Sequence, residues 1–389
     1  MDKRVILIVL DSAGIGELPD AAAFGDVGSD TIGHIYQTVD GFRLKNMERL
    51  GLNNIDGVGL PHKYPAPESA YGKLNEKSAG KDTTTGHWEI AGIITQKPFP
   101  TFPDGFPQPL IEALSHATGR RYLCNKPMSG TEVIKLYGME HIKTGSPIIY
   151  TSADSVLQIA AHENVIPCDA LYDICRTARK IVDEYQILRV IARPFIGQDP
   201  AHFTRTPNRR DFSIPPDKNN MLAHIASAGM QVSAIGKIED IYAGCGVTQS
   251  VHTKSNDDGI TKIHEFMNTA NTGLIFANLV DFDMLYGHRN DITGYADALR
   301  AFDDALPAIV SALNENDILM ITADHGCDPS TASTDHSREY IPLLAYGHKV
   351  KAANLGIRNT FADIGATICD YLGVKPLENG ESFLPLILQ

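Results

Sequence analysis

Three apolar runs of this 389-residue chain end in aspartate. Val5 to Leu10 delivers Asp11, Leu274 to Val280 delivers Asp281 and Asp283, and Ile318 to Ala323 delivers Asp324. Histidines stand close to two of them: His288 five residues after Asp283, His325 directly after Asp324, and His336 eleven residues further on. In parallel α/β sheets the carboxyl ends of the strands form the ligand crevice, so these carboxylates are expected to converge there. Mixed carboxylate and imidazole donors suit zinc, manganese or iron, whereas magnesium or calcium favours oxygen alone. Read singly, an aspartate after a buried strand is often only the cap of the next helix. Together, the three strand ends and three histidines supply six ligands, enough for two metal sites with three protein ligands each.

Two further clusters carry chemistry. The segment from Gly80 to Glu89 places Thr83, Thr84 and Thr85 between glycines at the start of an expected helix. Threonines there are commonly caps; the alternative is a nucleophile whose hydroxyl is activated by a divalent metal, with the helix N-terminus favouring the phosphate it would then carry. Farther on, Arg189, Arg193, Arg205, Arg209 and Arg210 lie in a stretch whose only acidic residue is Asp199, and Lys237 follows. Arginine forks match phosphate oxygens in a bidentate way, although such clusters are also found as merely solvated faces.

The elements that must position these groups read as α/β. Non-alternating β-branched runs at Val5–Leu10, Ile148–Thr151, Leu188–Ala192, Leu274–Val280, Ile318–Thr322 and Ile341–Ala345 fit strands covered on both faces, as in parallel sheets. Helical patterns lie at Leu110–Ala117, Leu171–Glu184, Tyr295–Leu313 and Phe361–Leu372, the last ending at Gly373. Proline-rich stretches at Lys97–Pro109 and Thr204–Asn220 look like paired hinges around an insertion. We therefore expect a discontinuous core, residues 1–97 and 216–389, and an inserted cap domain, residues 98–215. The cap would hold a substrate phosphate over metals bound in the core.

Composition narrows the class. With 43% hydrophobic and 21% charged residues the chain is an ordinary globular protein, not disordered or fibrous. Thirty-four basic against 47 acidic residues give a net charge of −13, which argues against nucleic acid or anionic lipid as partners. Fourteen histidines beside that acid excess suggest that some carboxylates serve metal. The six cysteines show no paired spacing, and the run at Val5–Leu10 is too short for a signal peptide or a membrane span. A reduced, soluble, cytoplasmic monomer is the expectation.

The chain resembles the bacterial phosphopentomutases of the alkaline phosphatase superfamily. The resemblance runs through DSAGIGELPDA from Asp11, FGDVGSDTIGHI from Phe24, GKDTTTGHWEIAG from Gly80, TSADSVLQIAAHE from Thr151, RVIARPFIG from Arg189, FTRTPNRRD from Phe203, NLVDFDMLYGHR from Asn278, TADHG from Thr322 and TDHSREYIPLLAYG from Thr334. It implies an alkaline-phosphatase-like layered α/β core, with a mostly parallel sheet flanked by helices and a smaller α/β cap inserted. It also implies a manganese-dependent isomerase that interconverts (deoxy)ribose 1-phosphate and (deoxy)ribose 5-phosphate through a phosphothreonine and a 1,5-bisphosphate. Asp11, Asp324 and His325 would hold one Mn2+ together with Thr83, the phosphoryl carrier; Asp283, His288 and His336 would hold the other, and other divalent metals are conceivable. Ser152, Asp154, Arg189, Arg205 and Lys237 would contact the pentose phosphate, and glucose 1,6-bisphosphate would prime the unphosphorylated enzyme. A two-metal phosphatase or phosphodiesterase on the same core is the rival enzyme, and a non-catalytic sugar-phosphate module the rival of another class. A cofactor-independent phosphoglycerate mutase would carry serine where this chain has threonine. The chain departs from the family pattern at Thr84, where a larger apolar residue is usual, and at Cys327, where asparagine is usual. A thiol there would bring sensitivity to oxidation or to soft metals.

Overall fold

Val- and Ile-rich runs, whose branched Cβ atoms favour extended backbone, become the central strands. The computed structural model describes residues 3–152, 155–270 and 272–388. In chain order its strands are β1 (Arg4–Leu10), β2 (Ala70–Leu74), β3 (Leu123–Pro127), β4 (Ile148–Thr151), β5 (Val156–His162), β6 (Arg189–Ile196), β7 (Thr204–Arg205), β8 (Arg210–Ser213), β9 (Gln231–Ile235), β10 (Gln249–Val251), β11 (Gly273–Leu279), β12 (Asp317–Thr322), β13 (Ile341–Tyr346) and β14 (Ala353–Arg358). The chain divides into two compact units, Met1–Lys97 with Pro216–Gln389, and Pro98–Pro215.

The discontinuous unit is built on an eight-stranded sheet in the order β10-β9-β11-β1-β12-β13-β2-β14. Strands β10, β9, β11, β1 and β12 run parallel. Every residue of β1, β11 and β12 is buried, so both faces of the sheet centre are covered. Helices Asn256–Thr269 and Ile292–Ser311 belong to one packed group, and helices Thr83–Ile90, Met221–Ser227 and Ala362–Leu372 to another. The run at Ile341 reads in sequence like one more parallel strand, yet β13 is antiparallel to both β12 and β2. Burial on both faces removes the alternation whichever way a strand runs, so the pattern carries no direction.

The inserted unit has a mixed sheet, β3-β4-β5-β6-β7, with β8 also paired to β6. Here the two-residue period of a strand is visible in the packing. Ile149, Leu157, Ile159 and Val190 point to a core shared with helices Gln108–Thr118 and Cys168–Val182. Their neighbours Ile148, Tyr150 and Ala160 point to a second core with Phe195, Phe203 and helix Gly130–Thr144. Among the described residues no helix is long and apolar enough to cross a membrane.

One buried ion pair joins the central strands. Arg4 on β1 lies opposite Asp317 on β12, its Nη2 is 2.5 Å from Asp317 Oδ2, and its Nη1 donates to the carbonyls of Met267 and Ala270. Both side chains are 2% exposed, so removing one leaves the other charge buried without compensation. Arg4→Met is expected to cost about 3–5 kcal/mol in urea unfolding, whereas Arg4→Met combined with Asp317→Leu should recover most of that loss.

Candidate active site

The three acidic strand ends meet because β1 lies between β11 and β12 in register, Leu10 opposite Leu279 and Val9 opposite Thr322. Asp11 follows β1, with its amide donating to the Leu279 carbonyl. Ser12 then takes a left-handed backbone (φ 70°), which aims its amide at Asp324 Oδ1, 3.0 Å away. Such strain in a non-glycine residue persists only where surrounding contacts impose it. After β11 the chain makes a π-helical turn, Phe282–Tyr286, carrying Asp283, then a 3-10 turn, Gly287–Arg289, carrying His288. Asp281 joins none of the compact donor groups: its carboxylate accepts from the amide of Asn256, the first residue of the helix that Ser255 caps.

The six expected ligands fall into one cluster, buried except at His288, whose side chain is 38% exposed. Asp11, Asp324 and His325 each offer an atom within 4.8 Å of the others, and so do Asp283, His325 and His336. His325 Nε2 is 3.4 Å from Asp11 Oδ1 and 3.3 Å from Asp324 Oδ2. Asp283 presents Oδ1 to His336 at 3.4 Å and Oδ2 to His288 at 3.3 Å. His288 is therefore attached through Asp283, and its own compact donor group is completed by Cys327 rather than by His336. The Nδ1 atoms of His288 and His325 donate to the carbonyls of Thr334 and Gly326, which directs both Nε2 atoms inward.

These residues fit divalent cations. Asp11 Oδ1, Asp283 Oδ1, Asp324 Oδ2 and His336 Nε2 are buried with no hydrogen bond, a state that in a folded protein calls for a bound partner. Without a cation the imidazoles of His288 and His325 take up positive charge. The hydrogen bond to Asp283, then contact with Cys327, pushes His288 up to about 11. Burial would lower His325, but the charge of Asp324 and contact with Asp11 outweigh it and raise the group well above the usual histidine range. Burial would likewise raise Asp283, yet the charge of His336 and the close approach of His288 and His336 hold it well below the carboxylate range.

Thr83 opens the helix Thr83–Ile90, and the cap is Asp82, which accepts from the amides of Thr84 and Thr85. Thr85 is committed as well, its hydroxyl donating to Asp82 Oδ2. Thr83 Oγ1 is left to face the cluster, 3.1 Å from His325 Nε2. Because Asp82 takes two of the helix-start amides, a phosphate on Thr83 would gain less from that N-terminus than the sequence suggests. Gly86 permits the helix to approach: a Cβ there would stand 2.0 Å from the Asp324 carbonyl oxygen.

Several supporting residues escape sequence reasoning. His87 Nδ1 donates to the Thr83 carbonyl and lies 3.0 Å from Asp324 Oδ2, while Asn278 donates to Asp11 Oδ2. Glu89 accepts from the amides of Lys77 and Ser78, and Arg338 donates to the Gly80 carbonyl and Glu76, so both fix the loop before Thr83. The available signal was spacing: His87 stands one helical turn after Thr83, on the same face.

Of the expected substrate contacts, Lys237 is in the core unit, before a short helix, Ile238–Ile241, whose last carbonyl accepts from Trp88 of the Thr83 helix. Ser152, Arg189 and Arg205 are in the inserted unit, and Asp154 lies outside the described residues. Arg205 is exposed on β7, whereas Arg189 and Arg209 both reach Asp211, one residue beyond the acid-poor stretch. Burial, with Arg209 nearby, lowers Arg193 to about 10. Arg210 lies over the rings of Tyr172 and Phe212.

Adding divalent metal to chelator-stripped protein should stabilise it by about 2.7 kcal/mol per site at a hundredfold excess over Kd. Because the metal displaces protons held by His288 and His325, binding should release protons and tighten as pH rises. Calorimetry in two buffers of different ionisation enthalpy measures that release, and proton uptake would contradict it. Asp283→Asn should cost one equivalent of metal.

The metalloenzyme superfamily model matches residues 3–376. A phosphopentomutase of Acetivibrio thermocellus is 57% identical over 99% of this chain and all of its own length. Another from Caldanaerobacter subterraneus subsp. tengcongensis is 58% identical, covering 99% of this chain and 98% of the relative. Among solved structures, the PH0037 protein of Pyrococcus horikoshii aligns over 96% of this chain and 98% of its own, with TM-score 0.50 and 14% identity. The phosphoglycerate mutase of Leishmania mexicana aligns over 98% and 97%, with TM-score 0.50 and 12% identity. At such identities the structural likeness speaks for the fold alone, an alkaline-phosphatase-like layered core. Full-length identity above half makes this chain a member of the phosphopentomutase family within the metalloenzyme superfamily.

Proposed function

We propose that the chain interconverts (deoxy)ribose 1-phosphate and (deoxy)ribose 5-phosphate through a phosphorylated Thr83 and a 1,5-bisphosphate. The observation that carries this reading is the Thr83 hydroxyl, spared from capping by Asp82 and facing His325 Nε2 at 3.1 Å beside carboxylate oxygens that lack partners. Asp11, Asp324, His325 and Thr83 would hold one divalent cation, and Asp283, His288 and His336 the other, with manganese suited to the mixed oxygen and nitrogen donors. Bound cations would neutralise charge on the transferring phosphoryl group and favour the ionised Thr83 oxygen.

The chain's own residues supply position. Asp82, His87 and Arg338 hold Thr83 and its loop, so the Oγ1–P bond is presented in one orientation. In the forward half-reaction the free sugar hydroxyl of the monophosphate attacks phosphorus. Its O–P bond forms as the Thr83 Oγ1–P bond breaks, and its proton leaves to solvent. The 1,5-bisphosphate then returns its other phosphate to Thr83. Arg205, Arg189, Ser152, Asp154 and Lys237 are the proposed contacts of the sugar and its second phosphate, arginine providing the fork that phosphate oxygens match. Glucose 1,6-bisphosphate would load Thr83 in the first turnover.

Mass spectrometry after exposure to manganese and glucose 1,6-bisphosphate should find phosphate on Thr83 and none on Thr84 or Thr85. Thr83→Ala should lower kcat by roughly three orders of magnitude or more. Rapid orthophosphate release from ribose 5-phosphate, without ribose 1-phosphate, would instead identify a phosphatase. Arg205→Ala should raise KM for the sugar phosphate roughly 10- to 150-fold, the worth of one charge-assisted hydrogen bond, and leave metal content intact.

A further inference from the structure

Cys327 is 1% exposed and held by its backbone, the amide donating to the Ser12 carbonyl and Thr31 Oγ1. Its Sγ, a ring nitrogen of His288 and a carboxylate oxygen of Asp283 all lie within 4.8 Å of one another. Gly287 makes this possible: a Cβ there would stand 2.9 Å from Sγ, so any larger residue would push the thiol from the turn that carries His288. The thiol's hydrogen bond, to the Asp335 carbonyl at 3.6 Å, is a weak one. Asp283, 4% exposed, turns Oδ2 to His288 Nε2 at 3.3 Å, and its other oxygen, Oδ1, is buried without a hydrogen bond, so the carboxylate has capacity left for a cation.

We propose that Cys327, His288 and Asp283 form a thiolate-containing metal site that takes a soft divalent cation of the zinc or cadmium class. On binding, the thiol loses its proton to water and one sulfur–metal bond forms. Thiolate and carboxylate together balance the charge of a dication, and a sulfur, nitrogen and oxygen donor set is one that zinc accepts. Burial favours coordination over oxidation, because an oxidant in solution has little access to a thiol 1% exposed. The proposal rests on the reading that Asp283 and His288 serve a metal. A soft cation held by Cys327 would draw both of them into its own shell, so it competes with the manganese shared by Asp283, His288 and His336.

Cobalt(II) titration of the metal-free, full-length protein tests this by absorption. Wild type should show a near-ultraviolet sulfur-to-cobalt charge-transfer band along with visible ligand-field bands, and Cys327→Ser and Cys327→Asn should lose only the former. By competition with a chelating dye, zinc should bind these variants at least about tenfold more weakly relative to manganese than it binds wild type. Cobalt bound with ligand-field bands but no charge-transfer band in wild type would overturn the thiolate site and leave the two-metal reading standing. Failure of cobalt to bind at all would overturn both. Thermal melts of the metal-free variants separate loss of the ligand from loss of the fold.

Discussion

Burial of carboxylate charge at the ends of β1, β11 and β12 is the constraint on which the rest of the core depends. Three parallel strands in register deliver Asp11, Asp324 and, one turn later, Asp283 to a region where each is 4% exposed or less. Charges so far from water are tolerable only when paired. Two layers of partners meet that need. Facing the crevice are the Nε2 atoms of His288, His325 and His336; behind are Asn278, His87 and the Ser12 amide. Asp11 Oδ1, Asp283 Oδ1 and Asp324 Oδ2 still lack a hydrogen bond, which leaves them for cations to meet.

The same constraint shapes the segment around Thr83. A helix beginning with three threonines would ordinarily spend a hydroxyl on its own first turn. Asp82 performs that task, and Thr85 bonds to Asp82, while the Thr83 hydroxyl turns to His325 in the cluster. Gly86 lets the helix backbone reach the Asp324 carbonyl, and His87 ties the Thr83 carbonyl to the Asp324 side chain. A larger residue at 86 would move the hydroxyl away from the ligands without altering any of them.

Charge distribution also acquires a location. The acid excess behind the net charge of −13 includes the buried aspartates of the core, while arginines gather in the inserted unit. That basicity is partly spent internally: Asp211 engages Arg209 and Arg189, and Arg210 lies over aromatic rings. Arg205, Arg209 and Arg210 are all exposed, but Arg209 is tied to Asp211 and Arg210 lies over rings, so a count of basic residues overstates the phosphate-binding charge.

Strand positions, the acidic strand ends and the histidines near them were legible in the sequence because each is a local pattern: a β-branched run, a residue after it, a short spacing. The choice of Thr83 as the proposed phosphoryl carrier rests in the sequence on resemblance alone, since three hydroxyls in a row are locally equivalent. Tertiary structure decided what depends on atoms far apart in the chain. It set β13 antiparallel, turned Asp281 to the Asn256 amide while Asp283 entered the cluster, joined His288 to Cys327 across a glycine, and recruited His87, Asn278 and Arg338. The physical reason is that burial on both faces erases the alternation from which direction and register are read. Partners such as Asn278 and Asp11 meet only after the sheet has formed, and no spacing in the chain records their approach.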